Sequence, residues 1–331
     1  MVGEADVTDI AGGAGSVGNV DGTAAMGVAD DTAARALAAL KRYFGYDSFR
    51  PGQEGLVETI MAGRDVLGVM PTGAGKSVCY QIPAALLPGI TIVISPLISL
   101  MRDQVDGLND AGLNAAYINT TQNPDEQGMV LAQTAAGQVK LLYVAPERLE
   151  TERFRQFAAH VPIALIAVDE AHCVSQWGQD FRSAYLGIGE FIASLPQRPT
   201  VAAFTATATE RVRRDIVTLL GLRDPVVTVT GFDRPNLYFD VIRMENKHKA
   251  AWVAQYIAVH PQDSGIVYCS TRKETEALAE SLNSTVPQLR AAAGEDAAQS
   301  EPIAVAYHGG MLADQRGRAQ RDFVTDRVPV V

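Results

Sequence analysis

Two rhythms of apolar and polar positions run along this chain. Compact apolar runs of five or six residues recur at 65–69, 91–95, 115–119, 140–145, 163–168 and 201–205, most of them flanked by Gly, Pro, Asn or Asp. Their interiors show no strict alternation, which is the pattern of strands buried on both faces. Between them lie longer segments with apolar residues three and four apart, the helical spacing. Strand and helix alternating in this way predict an α/β fold, a parallel sheet covered by helices on both sides. In such sheets, sites gather at the C-terminal ends of the strands. Ser95-Pro96-Leu97, Ala145-Pro146-Glu147-Arg148, Asp169-Glu170 and Thr205-Ala206-Thr207 all fall there.

The rhythm weakens at both ends. Residues 1–28 are mainly Gly, Ala, Asp and Val with little periodicity, the composition of a disordered acidic tail. Asp30 or Asp31 can cap a helix over 32–44, with Leu37, Leu40 and Phe44 on one face. Near 221–234 the pattern resets through Gly221-Leu222-Arg223-Asp224-Pro225, a run to Thr230, and Gly231-Phe232-Asp233-Arg234-Pro235-Asn236. Beyond it the pattern predicts strands at 237–242, 265–269 and 303–307 and a helix over 273–282. The Ala-, Gln- and Glu-rich 283–302 suggests a surface excursion. The expected organisation is a tail at 1–30, a first unit at 31–228 and a second at 229–331. The apolar run at 328–331 looks like a strand with no helix after it, so the second unit is expected to be partial.

The chemistry concentrates in two stretches. Met70-Pro71-Thr72-Gly73-Ala74-Gly75-Lys76-Ser77 follows the first apolar run and opens a helical segment, the strand–turn–helix context of a phosphate-binding loop. Met70 stands where the strict pattern has its first Gly, but the core G-x-G-K-S is intact. Gly73 and Gly75 let backbone amides turn inward, Lys76 reaches the outer phosphates, and the Ser77 hydroxyl is placed for magnesium. The second stretch, Asp169-Glu170-Ala171-His172, closes a buried-strand run with adjacent carboxylates. Asp169 suits a hard metal ion, and Glu170 suits an attacking water. Together they imply a nucleoside triphosphate and its hydrolysis.

Two aromatic-rich stretches leave alternatives open on their residues alone. Phe44 to Gln53 sets Tyr46, Arg50 and Gln53 close together. That group suits a purine, with Tyr46 on the ring and Gln53 on its edge, and equally suits a helix–helix turn with buried aromatics. Val174-Ser175-Gln176-Trp177-Gly178-Gln179-Asp180-Phe181-Arg182 puts aromatics in a polar loop beside an Arg. Such a loop is a platform for unpaired bases or a plug into the core, and its polar surroundings favour the platform.

Composition adds limits. The 331 residues carry a net charge of −10, but residues 1–34 hold six acidic side chains and no Lys or Arg. The rest is therefore only mildly acidic, compatible with a basic groove, and charge does not decide about nucleic acid. No apolar run approaches the roughly eighteen residues of a membrane span. Cys79, Cys173 and Cys269 form no C-x-x-C pair, against a zinc cluster and in keeping with a reducing cytoplasm.

The phosphate loop in the form M-P-T-G-A-G-K-S-V-C-Y-Q-I-P-A, followed by D-E-A-H-C-V-S-Q-W-G-Q-D-F-R, resembles the RecQ family of superfamily-two, DEAH-box DNA helicases. F-G-Y-D-S-F-R-P-G-Q, S-P-L-I-S-L-M-R-D-Q-V, A-P-E-R-L, F-T-A-T-A-T and F-D-R-P-N extend the likeness over residues 36–331. The resemblance implies two RecA-like P-loop lobes, the first complete and the second partial. It implies an ATP- and magnesium-dependent enzyme that unwinds duplex DNA from a 3′ single strand in recombination and repair. It points to a cytoplasmic, nucleoid-associated protein of bacterial type. By the same resemblance Tyr46, Arg50 and Gln53 contact adenine, the loop 72–77 holds the triphosphate, and Ser77 and Asp169 hold magnesium. Glu170 activates water, while His172 and the Thr205-Ala206-Thr207 element couple hydrolysis to movement. Ser95, Trp177, Phe181 and Arg182 meet single-stranded DNA. Gln179 stands where the family often has His, and the family's last two helicase motifs, one with an arginine finger, lie past Val331. A chain lacking them is expected to bind ATP and single-stranded DNA, to hydrolyse slowly and not to unwind. A regulatory binding module and an RNA helicase are the competing readings.

Overall fold

The computed structural model describes residues 22–178, 180–231, 237–294 and 302–331. The chain divides into two compact units, Met1–Arg234 and Pro235–Val331. The acidic N-terminal tail to residue 21, Gln179, and the F-D-R-P-N stretch lie outside the described residues.

In the first unit α1 (Gly22–Phe44) and α2 (Gln53–Met61) precede a regular alternation. Its strands are β1 (Val66–Val69), β2 (Ile90–Ile94), β3 (Ala115–Ile118), β4 (Leu141–Val144), β5 (Ile163–Val168), β6 (Thr200–Thr205) and β7 (Val226–Val229). Its later helices are α3 (Lys76–Leu86), α4 (Ile98–Asp110), α5 (Pro124–Ala135), α6 (Glu152–His160), α7 (Gly187–Ser194) and α8 (Glu210–Leu219). The strands form one seven-stranded sheet in the order β3-β4-β2-β5-β6-β1-β7, and every pairing is parallel.

The apolar runs are continuous because the sheet is covered on both sides. Val66, Val93, Leu141, Tyr143, Leu165, Ala167, Ala202 and Phe204 pack on one side with Leu56, Ile60, Tyr80, Met101 and Val105. Leu67, Val69, Ile92, Ile94, Leu142, Val144, Ile166, Val168, Val201 and Ala203 pack on the other with Phe154, Phe191 and Ile216. Neighbouring residues thus fall into opposite cores, the period of two that a pleated strand imposes. Because all strands run the same way, the loops after β1, β2, β4, β5 and β6 open at one edge of the sheet.

A buried carboxylate locks the opposite edge. Asp65 accepts hydrogen bonds from Arg198 Nη1 and Nη2 at 3.1 and 2.5 Å. It also accepts from the amides of Val201 at 2.9 Å and Arg223 at 2.7 Å. One side chain therefore ties the starts of β1 and β6 to the chain leading into β7.

The second unit contains α9 (Asn246–Val259), α10 (Arg272–Ala292) and α11 (Ala313–Val324). Its core joins Ala254, Ala258, Leu282, Val286, Ile303, Ala304 and Val330. Val330 bridges in parallel to both Gly265 and Ala304. Bonds such as Val267 N to Val331 O (2.8 Å) and Val305 N to Val330 O (3.0 Å) lay 329–331 between two flanking segments.

Several expectations are corrected here. Helix α1 begins at Gly22 rather than at Thr32; the stretch before Thr32 includes Ala24, Ala25 and Ala29, and alanine is the residue that most favours continued helix. Residues 237–242 form no regular element, and Tyr238, Phe239 and Val241 are almost fully exposed. The runs at 265–269 and 303–307 make isolated bridges rather than strands, since each has ladder bonds on one side over a few residues only. Helix α10 continues through Asn283 to Ala292, where a surface excursion is expected from composition. Leu282, Val286 and Leu289 explain it, an apolar stripe at helical spacing packed into the second core. Among the described residues, no helix is long and apolar enough to cross a membrane.

Candidate nucleotide and nucleic-acid site

Strand β1 delivers the chain into the phosphate loop, and α3 carries it away. Gly73 and Gly75 have φ of 84° and 79°, in the left-handed region where a side chain is strained. Gly75 has a second constraint, because a Cβ there would lie 2.5 Å from Gln53 Nε2. Lys76 folds back over the loop, with Nζ 3.1 Å from the Met70 carbonyl and 3.5 Å from that of Pro71. The two positive-φ glycines, the N-terminus of α3 and this ammonium come together within residues 73–76, the kind of donor set a polyphosphate requires.

Gln53 braces this loop from α2. It is 3% exposed. Its Nε2 donates to the Ala74 and Gly75 carbonyls, each at 3.0 Å, while Oε1 accepts from the Arg50 amide at 2.8 Å. Both amide hydrogens are committed, so Gln53 as found here holds the loop rather than presenting an edge to a base. Arg50 adds a second brace through Nη1 to the Gly73 carbonyl at 2.6 Å. Its guanidinium carbon lies 5.9 Å from the centroid of the Tyr46 ring, and Tyr46 itself is 50% exposed. Tyr46 is thus left available at the surface and Gln53 is not.

The carboxylates sit beside this loop at the end of β5. Asp169 is fixed by its own amide on the Ile94 carbonyl at 2.8 Å and by Tyr185, whose hydroxyl donates to the Asp169 carbonyl at 2.9 Å. Burial, reinforced by the neighbouring Glu170 charge, pushes the Asp169 carboxyl up to about 6. Glu170 adopts φ 47°, ψ 43°, a conformation that costs a non-glycine residue roughly 1–3 kcal/mol. Its Oε2 lies 3.3 Å from His172 Nδ1, and that hydrogen-bonding ring holds the Glu170 carboxyl below its ordinary range.

His172 joins β5 to β6. Its Nδ1 is 2.9 Å from Thr205 Oγ1, and Thr205 Oγ1 donates to the Thr207 carbonyl at 3.2 Å. The hydroxyl therefore accepts from an Nδ1–H. The Cys173 sulfur, 3.9 Å from Nε2, and the Glu170 carboxylate both favour the imidazolium and raise the His172 pKa.

The aromatic loop leaves directly from this segment. A turn closes it, with the Gly178 amide on the Ser175 carbonyl at 2.9 Å. A Cβ at Gly178 would lie 2.3 Å from the His172 carbonyl, so only glycine permits the fold-back. Trp177 is 62% exposed and Phe181 39%, so the loop presents its aromatics rather than plugging the core with them. Arg182 is committed internally, to Asp180 at 2.7 Å and to the Pro96 carbonyl at 3.1 Å, which ties the loop to the turn after β2. Ser95 in that turn is 2% exposed, and its hydroxyl is buried without a partner. As a surface contact for DNA Ser95 is corrected: close packing at the end of β2 hides it, and the exposed residues just beyond it include Leu97 and Ile98.

The comparisons with known proteins decide the family. The DEAD/DEAH box helicase family matches residues 50–216, the span that contains all of this machinery after Tyr46. The chain belongs to the DEAD/DEAH box helicase family. Within it, the resemblance to RecQ proteins holds across nearly the whole sequence. The chain is 42% identical over 298 residues to the ATP-dependent DNA helicase RecQ of Bacillus subtilis, covering 90% of this chain and 48% of that protein. It is 43% identical over 297 residues to RecQ of Haemophilus influenzae, covering 89% and 45%. It thus spans about half the length of these curated relatives. Among solved structures, Mycobacterium smegmatis helicase Lhr, bound to ssDNA and AMP-PNP, matches with a TM-score of 0.64 at 20% identity, covering 89% of this chain and 41% of that one. The DUF1998 helicase MrfA bound to DNA matches at 0.67 and 17%, covering 90% and 43%. At these identities the structures speak to the fold, the α/β architecture of RecA-like helicases.

The loop 70–77 and the D-E-A-H segment meet at one sheet edge, although they lie far apart in the sequence. Three supporting residues, Tyr185, Asp215 and Arg211, are not among the expected site residues. Tyr185 gives no local signal, because its hydroxyl reaches Asp169 only through the fold. Asp215 accepts from Ser175 Oγ at 2.6 Å, and Arg211 stacks on Trp177. For these two a signal is present: the acidic and basic residues of α8 begin just after Thr205-Ala206-Thr207.

Proposed function

We propose that this chain carries the ATP-hydrolysing machinery of a RecQ-type, 3′–5′ DNA helicase acting in recombination and repair. The observation that supports it most directly is continuity. The water-activating segment Asp169–His172 runs without a break into a loop that exposes Trp177 and Phe181, so nucleic acid engaged by the loop is mechanically attached to the hydrolytic carboxylates.

In this reading the triphosphate lies along the loop 72–77, with backbone amides and Lys76 on its outer oxygens. Adenine lies against the exposed Tyr46 ring, with Arg50 at its side and Gln53 keeping the loop in shape. The donor set fits magnesium: Ser77 offers a hydroxyl, and Asp169 is a carboxyl pushed upward by burial and by the neighbouring Glu170 charge, a state that a hard cation reverses. Magnesium, when bound with the nucleotide, offsets the charge on the phosphate oxygens. Glu170, held ionised by His172, orients the attacking water and accepts its proton. His172 passes the change in Glu170 to Thr205 and so to β6 and α8.

Steady-state ATP hydrolysis by this chain, with and without single-stranded DNA or RNA and beside Lys76→Ala, tests the reading. Turnover stimulated by DNA, less by RNA, and absent in Lys76→Ala supports it. Equal turnover with and without nucleic acid sinks the coupling. Stronger stimulation by RNA would make the chain an RNA-dependent enzyme.

A further inference from the structure

We propose that Arg211 is a positioning residue of the single-stranded DNA site, acting through Trp177. Nothing in the helicase motifs assigns it a role. The inference rests on the reading of the aromatic loop as a DNA platform given above.

The Arg211 guanidinium carbon stands 3.6 Å from the centroid of the Trp177 ring, a cation stacked on the indole face. That face is covered, and Trp177 nevertheless stays 62% exposed, so the open surface is the opposite face. A base stacking on the indole therefore finds a ring whose back is already held. An unsupported tryptophan on a loop loses rotamer freedom when a base docks, and the guanidinium removes that loss in advance. Arginine is suited to this, because its planar guanidinium stacks on aromatic faces.

A second contact makes the arrangement a clamp. Trp177 N donates to Ser175 Oγ at 3.2 Å, and Ser175 Oγ donates to Asp215 Oδ2 at 2.6 Å. Arg211 and Asp215 are four apart on α8 and so share one helix face. One holds the ring of the loop and the other its backbone. Helix α8 is capped by Thr209 and follows the Thr205-Ala206-Thr207 turn that His172 contacts. Base docking on Trp177 thus has a short route, through α8 and along the chain at 205–209, to Thr205, His172 and Glu170.

The test uses the full chain with Trp252→Phe, which leaves Trp177 as the sole tryptophan. Acrylamide quenching of Trp177 is measured for this parent, Arg211→Ala, Arg211→Lys and Arg214→Ala, and binding of a fluorescein-labelled oligo(dT) for these four and for Trp177→Ala. Arg214 pairs with Glu210 on the exposed side of the same helix and serves as the control. Expected is faster quenching in Arg211→Ala and DNA binding weakened by about threefold to thirtyfold, the range for losing one cation–π contact. Arg211→Lys should recover part of both, and Arg214→Ala should match the parent. DNA binding unchanged in Trp177→Ala defeats the platform reading, and this inference with it. Binding lost in Trp177→Ala but unchanged or tightened in Arg211→Ala overturns the role of Arg211 alone; tightening would make it a blocker of the platform.

Discussion

Replacing Gln53 by Ala removes three hydrogen bonds at once: two to the Ala74 and Gly75 carbonyls and one from the Arg50 amide. Each is worth about 0.5–1.5 kcal/mol net. The two carbonyls lie in a partly exposed loop where water replaces some of the loss, so the total is on the order of 2 kcal/mol. That loss loosens the phosphate loop before nucleotide arrives, and binding must then re-order it. At about 1.4 kcal/mol per tenfold, affinity should fall by roughly 30-fold. In the proposed reading the loop cradles phosphates, which ATP and GTP share, so both nucleotides should be affected. Titration of Gln53→Ala with fluorescent ATP and GTP analogues checks this, beside the unfolding midpoint in urea. Weakening of both by at least about tenfold supports the brace. Loss confined to ATP, with GTP binding as in the parent, would refute it and make Gln53 a reader of the adenine edge.

Two further outcomes follow from buried charge. The folded-state pKa of Asp169 is raised to about 6 from 3.8, so its carboxyl destabilises the nucleotide-free chain as pH rises through that window and continues to do so at neutrality. Asp169→Asn should therefore raise nucleotide-free stability at about pH 7–8 by about 1–3 kcal/mol, with no gain below about pH 4, while abolishing magnesium-dependent nucleotide binding; equal stability of the two chains at neutral pH would contradict this. Arg198→Ala leaves Asp65 buried without its cation but still bonded to the Val201 and Arg223 amides. The cost should lie near the low end for a broken buried pair, about 3 kcal/mol by urea denaturation, and a change under about 1 kcal/mol would show that water reaches Asp65.

Much of this molecule is legible in the order of its residues. The apolar runs at 65–69, 91–95, 115–119, 140–145, 163–168 and 201–205 are strands β1 to β6 to within a residue at each end, because a strand buried on both faces tolerates almost no polar residue. The phosphate loop and the D-E-A-H segment are equally plain, since glycines at positive φ and adjacent carboxylates have few other uses at strand ends. The second unit is less legible. Its runs at 265–269 and 303–307 have strand composition, yet a strand needs a partner along its length, and composition does not supply one. Helix α10 runs past its expected end because Val286 and Leu289 find a core that a local reading of 283–302 does not contain.

Strands β1 to β6, the phosphate-loop motif and the aromatics of the polar loop are legible without the fold. All of these follow from residue types and short spacings. Only the tertiary structure decided which way the side chains are spent. Gln53 faces the phosphate loop, Ser95 is sealed under the end of β2, and Arg182 is tied to Asp180 and Pro96. Arg211, unremarkable in the sequence, stands over the Trp177 ring. The Gln53 and Arg182 bonds to Ala74 and Pro96 reach 21 and 86 residues along the chain. A hydrogen-bonding or charged side chain does not carry its partner's identity in its own neighbourhood, and only the packing of the sheet and its helices brings that partner within reach.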